Sequence, residues 1–203
     1  QQDVLQEYMG ILYKNPPERR VRTRDFVGPS SISLERPNIS PLEDDVSIPN
    51  IRLPYTVTDK ADGVRKLLII AENGKIYMID VNMKVQFTGV INLNESLNNT
   101  IIDGEHILHD KMGQFINKYM AFDIYYINKK DVRAEAFYVE QESKESGGRL
   151  VKLNSTIDNL ELRPIVGEVL PLKINPKNFH ISYDGDTMFA NCKKILDRVD
   201  NDL

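Results

Sequence analysis

Apolar and polar positions change period several times along the chain, and each change marks an element. In residues 3–13, Val4, Leu5, Tyr8, Met9, Ile11 and Leu12 recur at helical spacing, and Pro16-Pro17 stops that helix. Residues 28–54 hold Pro29, Pro37, Pro41, Pro49 and Pro54 among polar residues, which predicts an extended loop with a short strand at 31–34. From Tyr55 the texture turns to strands: 55–58, 66–71 and 76–81, with Asn73-Gly74 as the hairpin turn between the last two. Residues 85–90, 101–108 and 115–126 continue the pattern, with Asp110-Lys111-Met112-Gly113 as a further turn.

Residues 139–149 read as a polar loop, 150–162 as a helix and 168–174 as a strand. Residues 187–199 predict an amphipathic helix whose stripe of Met188, Phe189, Cys192, Ile195, Leu196 and Val199 packs into a core. The class is α+β, a largely antiparallel sheet built by hairpins with flanking helices.

Composition narrows this reading. A chain of 203 residues, 41% hydrophobic and 28% charged, can bury one sizeable core and is expected to be one domain or most of one. No run approaches 18 apolar residues, so no membrane span is expected. The start at Gln1-Gln2-Asp3 suggests a piece of a longer chain. Cys192 is the sole cysteine, which excludes an internal disulfide and fits a reducing compartment. A net charge of −4 argues against a general basic nucleic-acid surface. Any RNA contact would be local, and Arg19, Arg20, Arg22 and Arg24 form either such a patch or a solvated face.

The chemistry concentrates in Tyr55-Thr56-Val57-Thr58-Asp59-Lys60-Ala61-Asp62-Gly63-Val64-Arg65. A strand delivers Lys60 to a turn at Asp62-Gly63, where backbone can approach a ligand closely, and Arg65 opens the next strand. A lysine must be neutral to attack a phosphate, and partial burial with Arg65 and Lys66 nearby would favour that. The plainer alternative is a surface lysine beside a hairpin turn. Downstream, an apolar strand ends in Asp103-Gly104-Glu105, either a turn or a carboxylate at the sheet rim able to bind ribose hydroxyls or a metal. Tyr119-Met120-Ala121-Phe122-Asp123-Ile124-Tyr125-Tyr126 is an aromatic strand, of which one ring could stack on a purine or simply fill the core.

In this order the three segments resemble the covalent nucleotidyltransferase superfamily, which contains mRNA capping guanylyltransferases and ATP-dependent ligases. Lys60-Ala61-Asp62-Gly63-Val64-Arg65 matches its Lys-x-Asp-Gly-x-Arg motif, and Asp103-Gly104-Glu105 and Phe122-Asp123 match the next two. The wording from Tyr55 to Arg65, with Phe26-Val27-Gly28-Pro29 and Ser33-Leu34-Glu35 upstream, is similar to capping enzymes of large cytoplasmic DNA viruses of mimivirus and African swine fever virus type.

The resemblance implies an adenylation-type (ATP-grasp-like) sheet. Residues 1–203 would supply the N-terminal and central part of the nucleotidyltransferase domain, with 1–54 as its lead-in helix and extended loop. It implies a covalent Lys60–GMP intermediate formed from GTP with Mg²⁺ or Mn²⁺, then GMP transfer to 5′ diphosphate RNA. Asp62, Gly63, Arg65, Glu105 and Phe122 would bind the nucleotide: Arg65 at ribose or phosphate, Glu105 at ribose hydroxyls or metal, Phe122 on guanine. It further implies an RNA triphosphatase upstream and a cap methyltransferase downstream in a parent chain, and a place in the virion and the viral factory of the host cytoplasm.

Two downstream motifs of the superfamily, an Asp-Gly before apolar residues and a Lys-x-Lys strand, have no match, and neither does its lid domain. Asp184-Gly185 continues into Asp186-Thr187 and reads as a turn before the last helix. This predicts weak or no activity for residues 1–203 alone. His106 and His109 lie three apart on a strand, point to opposite faces and do not chelate together. A ligase adenylation domain and a non-catalytic nucleotide-binding module stay open as alternatives.

Overall fold

The computed structural model describes residues 1–42, 47–140 and 147–201. In chain order the elements are α1 (Gln2–Leu12), β1 (Tyr55–Val57), β2 (Val64–Ile70), β3 (Lys75–Asp80), β4 (Val85–Asn92), β5 (Thr100–His109), β6 (Phe115–Ile127), β7 (Lys130–Asp131), α2 (Gly148–Asp158), β8 (Leu162–Pro164), β9 (Lys173–Pro176), β10 (His180–Ser182) and α3 (Gly185–Asn201). The chain divides into two compact units. One comprises Gln1–Gly28 and Ala61–Pro176, the other Pro29–Lys60 and Lys177–Leu203. The lead-in is therefore shared between the units, and the boundary falls at Gly28.

The first unit is a sheet in the order β7-β6-β5-β2-β3-β4-β8, antiparallel throughout, with β9 added parallel to β6. The expected antiparallel class is observed, and this one parallel pair is the exception. In β2, Leu67, Leu68, Ile69 and Ile70 are all fully buried. Alternate residues point to opposite faces, so a continuous apolar run requires cover on both. Leu67 and Ile69 pack with Val4, Tyr8, Met9 and Ile11 of α1. Leu68 and Ile70 pack with Leu153 of α2 and Leu172 and Ile174 near β9. Each fully buried side chain of this size contributes about 1.5–3 kcal/mol. Both predicted turns form: Gly74 N donates to Ala71 O (3.0 Å), and Gly113 N donates to Asp110 O (3.0 Å).

The second unit pairs β1 antiparallel with β10, with α3 beside them. Asp184 caps α3: Thr187 N donates to Asp184 Oδ1 (2.8 Å), and Asp184 N donates back to Thr187 Oγ1 (3.1 Å). The bonds that Thr187 N and Oγ1 donate to Oδ1 hold the Asp184 carboxyl below its usual range. The predicted turn before the last helix is this cap.

Several expectations are corrected. Residues 31–34 form no strand. The segment from Tyr55 pairs with β10 and does not join the large sheet. The predicted helix 150–162 runs instead over Gly148–Asp158, and Leu162–Pro164 pairs with β4. The strand expected at 168–174 is reduced to Lys173–Pro176, and residues 166–170 lie exposed outside any strand. On α3, Met188 and Ile195 are buried, but Phe189 (45% exposed) and Leu196 (62%) are not, and Arg52 stacks over the Phe189 ring at 5.1 Å. The Val199 side chain, and residues 141–146 of the predicted loop, lie outside the described residues.

Candidate active site

Lys60 is exposed and ends the second unit's first segment. The backbone leading to it is fixed within that unit. Thr58 Oγ1 donates to Asn178 O (2.7 Å), and the ammonium of buried Lys177 donates to Asp59 O. Arg198 lies 3.6 Å from the Asp59 carboxylate. β1 and β2 belong to different sheets, so Lys60 does not sit beside a β1–β2 hairpin.

In the first unit, strands β2, β5 and β6 are neighbours, and this brings the other motif residues together. Arg65 lies directly opposite Glu105, and Leu67 directly opposite Asp103. Asp103-Gly104-Glu105 is thus inside β5, not a turn and not at its end. Arg65 donates to Asp103 through Nε (3.2 Å) and Nη2 (2.6 Å), and Tyr125 OH donates to Asp103 Oδ2 (2.6 Å). The Asp103 side chain is fully buried and that of Arg65 is 27% exposed. Burial pushes the Asp103 carboxyl up, while the bonds from Arg65 and Tyr125 pull it back. Asp103 in turn raises the Arg65 guanidinium.

Two irregularities in β6 aim its aromatic residues. Asp103 pairs with Asp123 but Gly104 with Ala121, which leaves Phe122 as an inserted residue, and Tyr125 is inserted in the same way between Ile124 and Tyr126. Phe122 consequently packs on Arg65, whose guanidinium carbon is 5.8 Å from the ring centre. Phe26 covers the same guanidinium at 5.2 Å. A Cβ at Gly28 would lie 2.8 Å from Asp103 Oδ2 and 2.5 Å from Arg65 Nη2, so only glycine lets the lead-in pass here. Glu105 is half-buried and has no hydrogen-bond or ion-pair partner among the described residues.

Asp62 is exposed. Gly63 is explained by packing within the sheet: a Cβ there would lie 2.7 Å from His106 O. Lys66 is lowered from its ordinary value by burial and donates to Gln86 Oε1 (2.9 Å) and His106 Nδ1 (3.0 Å). His106 is buried and bonds Asn117 (2.7 Å), while His109 is exposed, so the two point apart as expected. No group of three His, Cys, Asp or Glu side chains suited to a metal occurs among the described residues. Among these residues, no helix is long and apolar enough to cross a membrane. Asp103 and Tyr125 were not singled out from the sequence as site residues. The only signal for them was the company they keep in the two matched motifs.

A family model, mRNA capping enzyme, catalytic domain, matches residues 2–187. The chain belongs to this family. Among relatives, a "Probable mRNA-capping enzyme" of Acanthamoeba polyphaga mimivirus is 32% identical over 107 residues, 51% of this chain and 8% of the relative. The mRNA-capping enzymes of Danio rerio and Mus musculus are 33% and 32% identical over 105 and 113 residues, 49% and 53% of this chain. The matched segment spans only 16% and 18% of those two relatives. A solved structure of mycobacterial DNA ligase D complexed with ATP and MES aligns over 70% of this chain and 45% of its own. It does so at 17% identity and a TM-score of 0.41. Within the capping enzyme family, the Lys60–Arg65 segment lies inside the matched residues, and so do Asp103, Glu105 and Phe122.

Proposed function

We propose that the chain is the GMP-accepting core of an mRNA guanylyltransferase. The observation that carries this is the Lys60-Ala61-Asp62-Gly63-Val64-Arg65 segment in a chain of the capping family, with Glu105 registered opposite Arg65 and its carboxylate without a partner among the described residues. In the first step the Lys60 amine attacks the α-phosphorus of GTP. An N–P bond forms, the bond from that phosphorus to the bridging oxygen breaks, and pyrophosphate leaves with that electron pair. In the second, a β-phosphate oxygen of 5′ diphosphate RNA attacks the same phosphorus, the N–P bond breaks, and the Lys60 amine is regenerated.

Arg65, aimed by Asp103, binds the nucleotide through its guanidinium, and Glu105 accepts from ribose hydroxyls. Phe122 offers a ring for the base. Glu105, whose carboxylate has no partner among the described residues, suits Mg²⁺ or Mn²⁺ carried on substrate phosphates, since such ions need only one or two protein carboxylates. The ion would offset charge on the phosphates. In the parent protein, an RNA triphosphatase and a cap methyltransferase would act before and after this step, in the virion and viral factory.

The test is covalent labelling of the parent protein with α-labelled GTP. Lys60→Ala and Lys60→Arg are expected to abolish acid-labile label, because a guanidinium stays protonated and does not attack. GTP should label at least about a hundredfold better than ATP, since a polar pocket rejects the wrong base edge. Normal labelling of the arginine variant would remove Lys60 as nucleophile, and preference for ATP would make the protein a ligase.

A further inference from the structure

The arginine run at residues 19–24 has no part in the site described above, yet it leads directly into it. Arg19 is consumed: it forms a two-pronged pair with buried Asp25 (2.7 and 2.6 Å). Asp25 also accepts from Arg22 N (2.8 Å). Tyr8, fully buried on α1, donates its hydroxyl to Asp25 O (2.6 Å) and accepts from Val27 N (3.0 Å). The loop is thereby held to α1 from both sides. Arg20, Arg22 and Arg24 are exposed, and their side chains have no hydrogen-bond or ion-pair partner among the described residues.

Residues 14–25 carry five cations against Glu18 and Asp25, in a chain whose net charge is −4. Two residues beyond Arg24, Phe26 stacks on Arg65, and Gly28 touches the Arg65–Asp103 pair. A basic patch of exposed guanidiniums, built on a fixed loop beside a nucleotide site, suits a ligand that carries repeated phosphates and ends at that site.

We infer that Arg20, Arg22 and Arg24 form a docking patch for the phosphate backbone of the acceptor RNA. This deepens the guanylyltransferase reading and rests on it for the identity of the polyanion. Contacts to phosphate position a strand without reading its sequence, so the patch would be indifferent to base identity.

The experiment measures binding of a short 5′ diphosphate RNA to the parent protein by fluorescence anisotropy across a salt series. Three phosphate contacts on a single strand account for a slope of about −2 in log K against log[salt]. The variant R20Q/R22Q/R24Q is expected to flatten the slope by about that amount and to weaken binding at low salt at least about tenfold. Its covalent labelling by GTP should equal that of the unaltered protein, which also shows that it folds. K84Q/K111Q/R163Q removes equal charge from other exposed positions and should leave affinity nearly unchanged. An unaltered RNA slope in the arginine variant overturns the inference. So does an equal loss in the control, which would mean only net charge matters. Unchanged RNA binding with lost binding to phosphatidylserine vesicles would reassign the patch to a membrane surface. Failure of the unaltered protein to label with GTP would sink the enzymatic reading while leaving the RNA measurement to decide the patch.

Discussion

Asparagine at position 103 tests whether Arg65 is aimed by its buried partner. The substitution keeps the volume, but an amide NH₂ replaces one of the oxygens that accept from Arg65 Nε, Arg65 Nη2 and Tyr125 OH. It also removes the negative charge that a fully buried side chain presents to the guanidinium. Deleting one partner of a buried pair costs about 3–5 kcal/mol. Because the Arg65 side chain is 27% exposed, water recovers part of this, and we expect about 2–3 kcal/mol. For a chain of this size each kcal/mol moves Tm by about 2–4 °C, so Asp103→Asn should melt about 4–12 °C lower. GTP labelling should fall with it even at temperatures where the variant is folded.

The complementary variant, Arg65→Ala, leaves the Asp103 carboxyl buried with the Tyr125 bond but without the Arg65 bonds that helped to pull it down. Its folded pKa, already above the unfolded value of about 3.9, rises further, so the folded state binds the proton more tightly and stability falls more steeply as pH rises. The Tm deficit of Arg65→Ala against the unaltered protein should therefore narrow as pH drops from about 7 towards that value. The check is calorimetry across pH. Refutation would be an Asp103→Asn protein melting within about 1 °C of the original, or a pH-independent deficit in Arg65→Ala.

Gly63→Ala should destabilise by about 1–3 kcal/mol, read as a lower urea midpoint, because the new Cβ meets the His106 carbonyl of β5 and backbone does not yield cheaply. A neutral result would mean β2 can shift against β5. Arg19 holds the Asp25 carboxyl below its usual range, with burial opposing, so Asp25 contributes stability above about pH 4 that is lost as pH falls through its lowered folded value. Asp25→Asn should flatten the acid limb of a stability-against-pH curve, and an unchanged limb would show that this pair does not hold the loop.

Much of this was legible one residue at a time, where the physics is local. Period-2 and period-3.6 patterns located α1, β2, β3, β5, β6 and α3 because side-chain direction repeats with the backbone. Asn73-Gly74 and Asp110–Gly113 marked their turns because turn chemistry is carried by a few adjacent residues. The Lys60–Arg65, Asp103–Glu105 and Phe122-Asp123 segments were legible in the same way, and they lie within the residues that match the capping enzyme family.

Only the tertiary structure decided what those segments do to one another. Sheet order made β2, β5 and β6 neighbours, so register put Glu105 opposite Arg65 and buried Asp103 as the guanidinium's partner, in place of a carboxylate on the rim. Bulges in β6 turned Phe122 and Tyr125 toward that pair, and an inserted residue leaves no mark in hydrophobic periodicity. Division into two units sent β1, with the backbone that carries Lys60, to pair with β10 more than a hundred residues later. Pairings across such distances are chosen by which apolar faces can be covered together, and no local pattern contains that choice.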